Sequence, residues 1–168
     1  MTLPEYLAIL AKLNVNKLGS SVAPHKAVLL LAVSDLIEEG VISTPLIPLD
    51  NRLNKAFSAR WKQHVPIYSR FNCNLSYPFF HLASSSFWEL IPLKSPDRKI
   101  MKEYSSLTSL KKSFAGANID EALFLFLSDS NSRQIIRNFL IANYLKEKTS
   151  LSIASDLMPL FLFAISVS

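Results

Sequence analysis

The chain has 168 residues, 49% of them hydrophobic and 18% charged, which suits one folded domain with its own core and argues against a disordered chain. Its three glycines, Gly19, Gly40 and Gly116, cannot write a P-loop or a dinucleotide fingerprint, and its one cysteine, Cys73, excludes an internal disulfide and a cysteine-based zinc cluster. Eighteen Lys and Arg against 13 Asp and Glu give a net charge of +5 and a pI near 9.4, which fits a polyanionic partner and equally a mildly basic surface.

The first residues, Met-Thr-Leu-Pro-Glu-Tyr, lack a basic region followed by an apolar run. No signal peptide is expected, and a cytoplasmic location follows. Thr2 can cap a first helix with Pro4 in its first turn and Leu7, Leu10 and Leu13 as its apolar stripe. Asn14 to Pro24 reads as a polar loop. A second helix is expected from Pro24–His25 to Gly40; it is apolar almost all round over Val28–Val33, the mark of a central buried helix. Val41 to Leu49 holds two prolines and reads as an extended link. Leu49 to His64 has helical spacing, with Leu53, Phe57, Trp61 and His64 on one face and Arg52, Lys55 and Lys62 on the other.

Ile67 to Ser76 reads as loop. Tyr77–Leu82 and Phe87–Leu93 read as two strands joined by Ala83-Ser84-Ser85-Ser86, an aromatic-rich hairpin. Lys94 to Lys99 is a basic turn. Short helices are expected over Leu107–Phe114 and Ile119–Leu127, and a long one beyond, capped by Ser130 or Asn131. The expected fold is α+β: a mostly helical single domain over residues 2–145 with a small antiparallel hairpin or sheet. Residues 146–168 form an apolar C-terminal tail. From Leu157 it is uncharged, but that run is too short for a bilayer and Pro159 interrupts it, so it reads as a core-packing segment or an unnatural chain end ahead of a membrane anchor.

Catalytic constellations are scarce. His25, His64 and His81 are widely scattered, with no His-His, Asp-His or Cys-x-x-Cys pair, which removes a ββα-metal nuclease. Asp97-Arg98-Lys99 has the form of an acid-x-Lys trio, and Glu89 or Asp50 could supply a further acid for Mg²⁺. A metal-dependent nuclease using Glu89, Asp97 and Lys99 is thus one reading, although the trio falls in a proline-containing turn. No Gly-x-Ser-x-Gly elbow is present.

Basic residues cluster. Leu46 to Arg70 has Arg52, Lys55, Arg60, Lys62 and Arg70 against Asp50 alone, and Lys94 to Lys112 has Lys94, Arg98, Lys99, Lys102, Lys111 and Lys112 against Asp97 and Glu103. Each stretch could track phosphates or be a solvated face. In a strand, Tyr77, Phe79 and His81 would share one face, with Pro78 at a strand start or edge. Such an arrangement makes either a shallow apolar dish beside donors or an ordinary aromatic core.

Ala23-Pro24-His25-Lys26-Ala27-Val28-Leu29-Leu30-Leu31-Ala32, together with Tyr77-Pro78-Phe79-Phe80-His81-Leu82, Phe87-Trp88-Glu89-Leu90 and Asp129 to Tyr144, resembles the sulfur-binding domains of type IV, modification-dependent HNH restriction endonucleases. The resemblance covers roughly Thr2 to Leu145. It implies a module of a restriction system that binds double-stranded DNA in which sulfur replaces one non-bridging phosphate oxygen. By that resemblance Tyr77, Pro78 and His81 wall the sulfur cavity, and His25 and Lys26 contact phosphate or base edges. Arg70, Lys94, Arg98, Lys99 and Lys102 are the candidates for flanking strands. No cofactor, metal or catalytic residue is implied, and any cleavage would fall to an HNH nuclease domain or subunit. Two departures stand out: the Ala83–Ser86 turn lacks the basic residue and Asp-Gly of many relatives, and nothing after Tyr144 resembles an HNH domain. The alternative reading is a general DNA-binding module with no sulfur preference.

Overall fold

The computed structural model describes residues 1–93, 104 and 106–145. The chain starts with helix α1 (Leu3–Leu10), a two-residue-per-strand hairpin β1 (Lys17–Leu18) and β2 (Ser21–Val22), helix α2 (His25–Glu38), strand β3 (Leu46–Pro48) and helix α3 (Asn51–His64). Helix α4 (Ser76–His81) runs into a 3₁₀ turn at Leu82–Ser84, followed by strand β4 (Trp88–Pro92). Helix α5 (Leu107–Ser113), strand β5 (Phe114–Ile119) and helices α6 (Glu121–Ser128) and α7 (Ser130–Tyr144) complete the described part. It is a mostly helical α+β domain with two small antiparallel sheets, β1-β2 and β3-β5-β4.

Helix α2 is the axis of the core. Eleven of its 14 residues are buried, and α3, α4, α6 and α7 all pack on it. Leu53, Phe57 and Trp61 of α3 and Ile136 and Leu140 of α7 supply the facing apolar surface, as their helical spacing predicts. Its one polar stripe, Ser34, Asp35 and Glu38, is clamped by arginines. Asp35 receives Arg60 through Nε at 2.6 Å and Nη2 at 2.7 Å, and also Arg137 Nη2 at 2.7 Å. Glu38 accepts from Arg137 at 2.6 Å and from Arg133 at 3.2 Å. The Arg137 Nε donates to Ser34 Oγ at 2.9 Å. Hydrogen bonds from Arg137, then its charge, hold the Glu38 carboxyl below the usual carboxylate range. That contribution is present above the ordinary carboxylate pKa and is lost only as pH falls through the lowered value.

Local signals account for most helix ends. Thr2 caps α1 in a capping box with Glu5. Asp50 caps α3 by accepting from the Arg52 and Leu53 amides at 3.0 Å. The long C-terminal helix is capped by Asp129, which accepts from Ser132 N at 2.8 Å, rather than by Ser130 or Asn131. Asp129 is the better placed oxygen because α6 has just ended there. Likewise α6 begins at Glu121, since Ile119 belongs to β5.

The expected hairpin of Tyr77–Leu82 with Phe87–Leu93 does not form. Tyr77–Leu82 lies in α4 and its 3₁₀ extension, and β4 pairs instead with β5, Trp88 opposite Ile119 and Leu90 opposite Ala117. The segment is apolar at nearly every position, so strand alternation and a buried helical turn look alike in sequence. Pro78 is the third helical residue, where its missing N–H would have had no intrahelical acceptor. Asn74 Oδ1 ties the start by accepting from the Ser76 amide and hydroxyl at 3.0 and 2.6 Å. Packing then fixes the short helix: Phe79 is fully buried, and Trp88 Nε1 donates to its carbonyl at 2.9 Å.

The true partner, Phe114–Ile119, was hidden by its weak strand propensity, Phe-Ala-Gly-Ala-Asn-Ile. It is central to its sheet, and at Gly116 a side chain would run into the backbone carbonyl of Ile47 on β3. Close strand approach therefore selected small residues there. The polar loop Asn14–Pro24 also contains unanticipated structure, β1 and β2, turned at Gly19 with φ +63°. No helix among the described residues is long and apolar enough to cross a membrane.

Asp35→Ala should destabilise the fold by about 3 kcal/mol, toward the low end for a broken buried ion pair because Asp35 keeps some contact with water. Removal of the exposed α3 cap in Asp50→Ala should cost about 1 kcal/mol. Urea unfolding midpoints measure both; equal losses would deny the arginine clamp its central role.

Candidate nucleic-acid interface

Beyond the N-terminal end of α2 lies an open cleft of about 480 Å³. Three chain segments build its walls: the β1 approach and strand, the loop from Arg70 to Asn72, and α4 with its 3₁₀ turn. Six of the residues singled out in the sequence meet here: His25, Lys26, Arg70, Tyr77, Pro78 and His81. Lys94, Arg98, Lys99 and Lys102 lie outside the described residues, as do Asp97 and the apolar tail from residue 146. Glu89, the remaining acid of the nuclease reading, is exposed on β4 opposite Asn118 and does not line the cleft. Among the described residues no group of three His, Cys, Asp or Glu side chains is placed to hold a metal ion.

Lys26 is the unusual member. Only 8% exposed, it opens a helix that is otherwise apolar along most of its length. Its amine donates to the Asn14 carbonyl at 2.7 Å and to Ser84 Oγ at 3.4 Å. Neither partner is charged, and Lys26 makes no ion pair among the described residues. An ammonium has three donors, so these two contacts leave one for a ligand. Burial pushes the amine below its ordinary pKa, as expected for a cation without a counter-charge. Among the described residues, no carboxylate lines the cleft.

His25 is held by its surroundings. Its Nε2–H donates to the Asn72 carbonyl at 2.8 Å, leaving Nδ1 bare in the neutral ring. The ring packs on Trp61 and Phe71, with centroids 4.7 and 5.8 Å away. Burial pushes its pKa down, only partly offset by the Asn72 carbonyl. Pro24, at the N-cap, offers no side-chain oxygen, and α2 starts without a side-chain cap. The positive end of its dipole favours an anion there.

The α4 wall is apolar. Tyr77 and His81 are one helical turn apart and therefore on one face, with rings nearly parallel at 12° and centroids 6.5 Å apart. Tyr77 is 47% exposed, a large aromatic surface left open to water. Burial and then the nearby Lys26 charge lower the His81 pKa, which favours a neutral ring. Thus the helix achieves what the expected strand would have achieved by alternation: Tyr77 and His81 still share a face, and Pro78 joins them.

Sequence reasoning missed Asn14 and Ser84, which hold the Lys26 amine. A signal was present: Val22, Ala23, Leu29 and Leu30 stand three and four positions from Lys26, so its partners had to come from elsewhere in the fold. Two members of the basic cluster over residues 46–70 are engaged by acids, Arg60 with Asp35 and Arg52 with Asp50. A second hollow of about 230 Å³, between Pro66, Phe71 and Tyr144, has no Lys or Arg among the described residues of its lining.

No protein-family model matches the chain. A search of the curated proteins likewise finds no match.

The site's electrostatics can be read directly. Both cleft imidazoles should titrate below the ordinary value of 6.5, as followed by NMR of the ring protons. Because their folded pKa values are lowered, the stability they contribute is present above about 6.5 and declines as pH falls through the lowered values. A His25 ring that titrates at or above its ordinary value would contradict the half-buried, neutral assignment.

Proposed function

We propose that this protein is a non-enzymatic reader of phosphorothioate-modified double-stranded DNA. The observation that carries the reading is the cleft itself, which joins a cation without a counter-charge and a helix start without a side-chain cap to an apolar aromatic wall, with no carboxylate among the described residues of its lining. A phosphate backbone meets the first half of that description. Sulfur meets the second: it is larger, more polarizable and more weakly hydrated than oxygen, so an apolar wall accepts it at little cost. A phosphate oxygen placed there would lose hydrogen bonds to water.

In this reading Tyr77, Pro78 and the face of a neutral His81 receive the sulfur. Lys26, with its remaining donor, and the first-turn amides of α2 take the non-bridging oxygen of the same or the next phosphate. His25 stiffens the helix start through Asn72 and, at its open Nδ1, can accept from a base edge. Arg70, exposed at the rim, takes a flanking phosphate, and Lys94, Arg98, Lys99 and Lys102, outside the described residues, are the further candidates for the flanking strands. Cleavage, where it occurs, belongs to an HNH nuclease domain or subunit acting with the reader, in a cytoplasmic restriction system. A general DNA binder would use the same cations but leaves the exposed Tyr77–His81 wall without a purpose.

Binding of matched duplexes with and without one stereodefined phosphorothioate tests the proposal. Tyr77→Ala or Pro78→Ala should reduce the preference for sulfur by about tenfold, roughly 1.4 kcal/mol, while affinity for the unmodified duplex stays near wild type. Lys26→Ala should weaken both complexes and lower the salt-dependence slope by about one; Lys26→Arg should restore much of the slope. Equal wild-type affinity for the two duplexes would sink the sulfur reading. Cleavage in Mg²⁺ that is lost in Asp97→Ala would replace it with the nuclease.

A further inference from the structure

One residue before Arg70 enters the cleft lining, the chain makes a tight turn over Pro66, Ile67, Tyr68 and Ser69, closed by the Ser69 amide donating to the Pro66 carbonyl at 3.0 Å. Ile67 and Tyr68 occupy its two corner positions. Corner positions favour Pro, Asn, Asp, Gly or Ser for reasons of local backbone geometry; a β-branched Ile followed by Tyr has no such reason. Neither side chain is used by the fold. Ile67 is fully exposed and Tyr68 is 76% exposed. A single exposed apolar residue is ordinary, but two adjacent ones presented on a hydrogen-bonded turn form a small rigid prow.

The turn is firmly based. Val65 behind it is buried, Ser69 Oγ accepts from the Phe71 amide at 3.2 Å, and Phe71 and Asn72 engage the His25 ring at the start of α2. The prow is thus fixed relative to the cleft. The chain on either side of it is one-signed: from Asn51 to Trp88 the sequence contains no Asp or Glu, and exposed Lys62 and Arg70 flank the turn in sequence. Duplex nucleic acid offers phosphates to these cations and stacked bases to the tip.

We infer that Ile67 and Tyr68 form a wedge that presses into a base step of duplex DNA beside the phosphate held in the cleft, partly unstacking it. This second contact rests on the DNA-binding reading above. Apolar side chains used in this way unstack the step they enter and let the bent duplex cover more protein surface. Such a wedge acts on the deformability of a base step and not on base-edge hydrogen bonds, so flexible pyrimidine–purine steps at that position would bind best.

The test uses the full chain and a short duplex carrying one stereodefined phosphorothioate, with a fluorescent aminopurine base placed in turn at each step flanking the modification. Wild-type protein should raise the fluorescence at one step, reporting lost stacking. The double substitution Ile67→Ser, Tyr68→Ser should abolish that rise and weaken binding about tenfold, near the lower end of what base stacking contributes, while keeping the preference for sulfur and the melting temperature. Wild type that binds with no fluorescence rise at any step overturns the wedge alone. A rise that persists in the double variant does the same. Wild type that fails to bind DNA overturns the DNA reading together with the wedge.

Discussion

Two carboxylates on one helix, Asp35 and Glu38, organise the arrangement of the described helices. They lie in the C-terminal half of α2, on the polar stripe they share with Ser34, and they draw in Arg60 from α3 and Arg133 and Arg137 from α7. Apolar contact alone would let α3 and α7 slide along or rotate about α2, because hydrophobic burial is not directional. Guanidinium groups that must meet a carboxylate in their own plane, at 2.6 to 2.7 Å, fix register and rotation. Arg133 also donates to the Leu127 and Ser128 carbonyls, so the end of α6 is drawn into the same network.

This clamp decides what happens at the other end of α2. With its C-terminal half locked, the helix projects its first turn, His25 and Lys26, to a fixed place between the β1-β2 hairpin and α4. The distribution of charge follows the same division. Asp35, Glu38 and Asp50 are joined to arginines, and Asp120 accepts from the Tyr6 hydroxyl to tie α1 to the start of α6. Acids are thus engaged in structure, while Lys26 and Arg70 at the cleft are left without a counter-charge among the described residues. Among the described residues the cleft lining carries Lys26 and Arg70 and no acid, a local imbalance that the modest net charge of +5 does not reveal.

Sequence made the helices legible where one signal dominated: the near-continuous apolar face of α2, the spacing of Leu53, Phe57 and Trp61, and the capping box at Thr2. It misled where two signals coincided. Tyr-Pro-Phe-Phe-His-Leu is apolar enough for either period, and its helical state is decided by Asn74, by Trp88 reaching the Phe79 carbonyl, and by burial of Phe79, all tertiary facts. It suggested no strand over Phe114–Ile119, placing both ends in helices, because the strand is dictated by how closely its two neighbours approach. The candidate site survived the wrong assignment of α4 because residues four apart share a helix face as residues two and four apart share a strand face. The partners of Lys26 were not legible, since Asn14 and Ser84 are brought to it only by the fold.

The β1-β2 hairpin stands apart from all this. Lys17 and Leu18 are exposed and Ser21 and Val22 only half buried. Backbone bonds, such as Ala23 N to the Asn16 carbonyl at 2.8 Å, and the Lys26–Asn14 contact attach it to the body. Little apolar area would be lost by changing its side chains or its length, so such changes leave the core undisturbed. One wall of the cleft is consequently free to diversify while the opposite wall, made by α4, is bound to the core through Phe79 and Trp88. A lineage carrying this fold could reshape one wall by rewriting a handful of hairpin residues while the α4 wall stays as the core dictates.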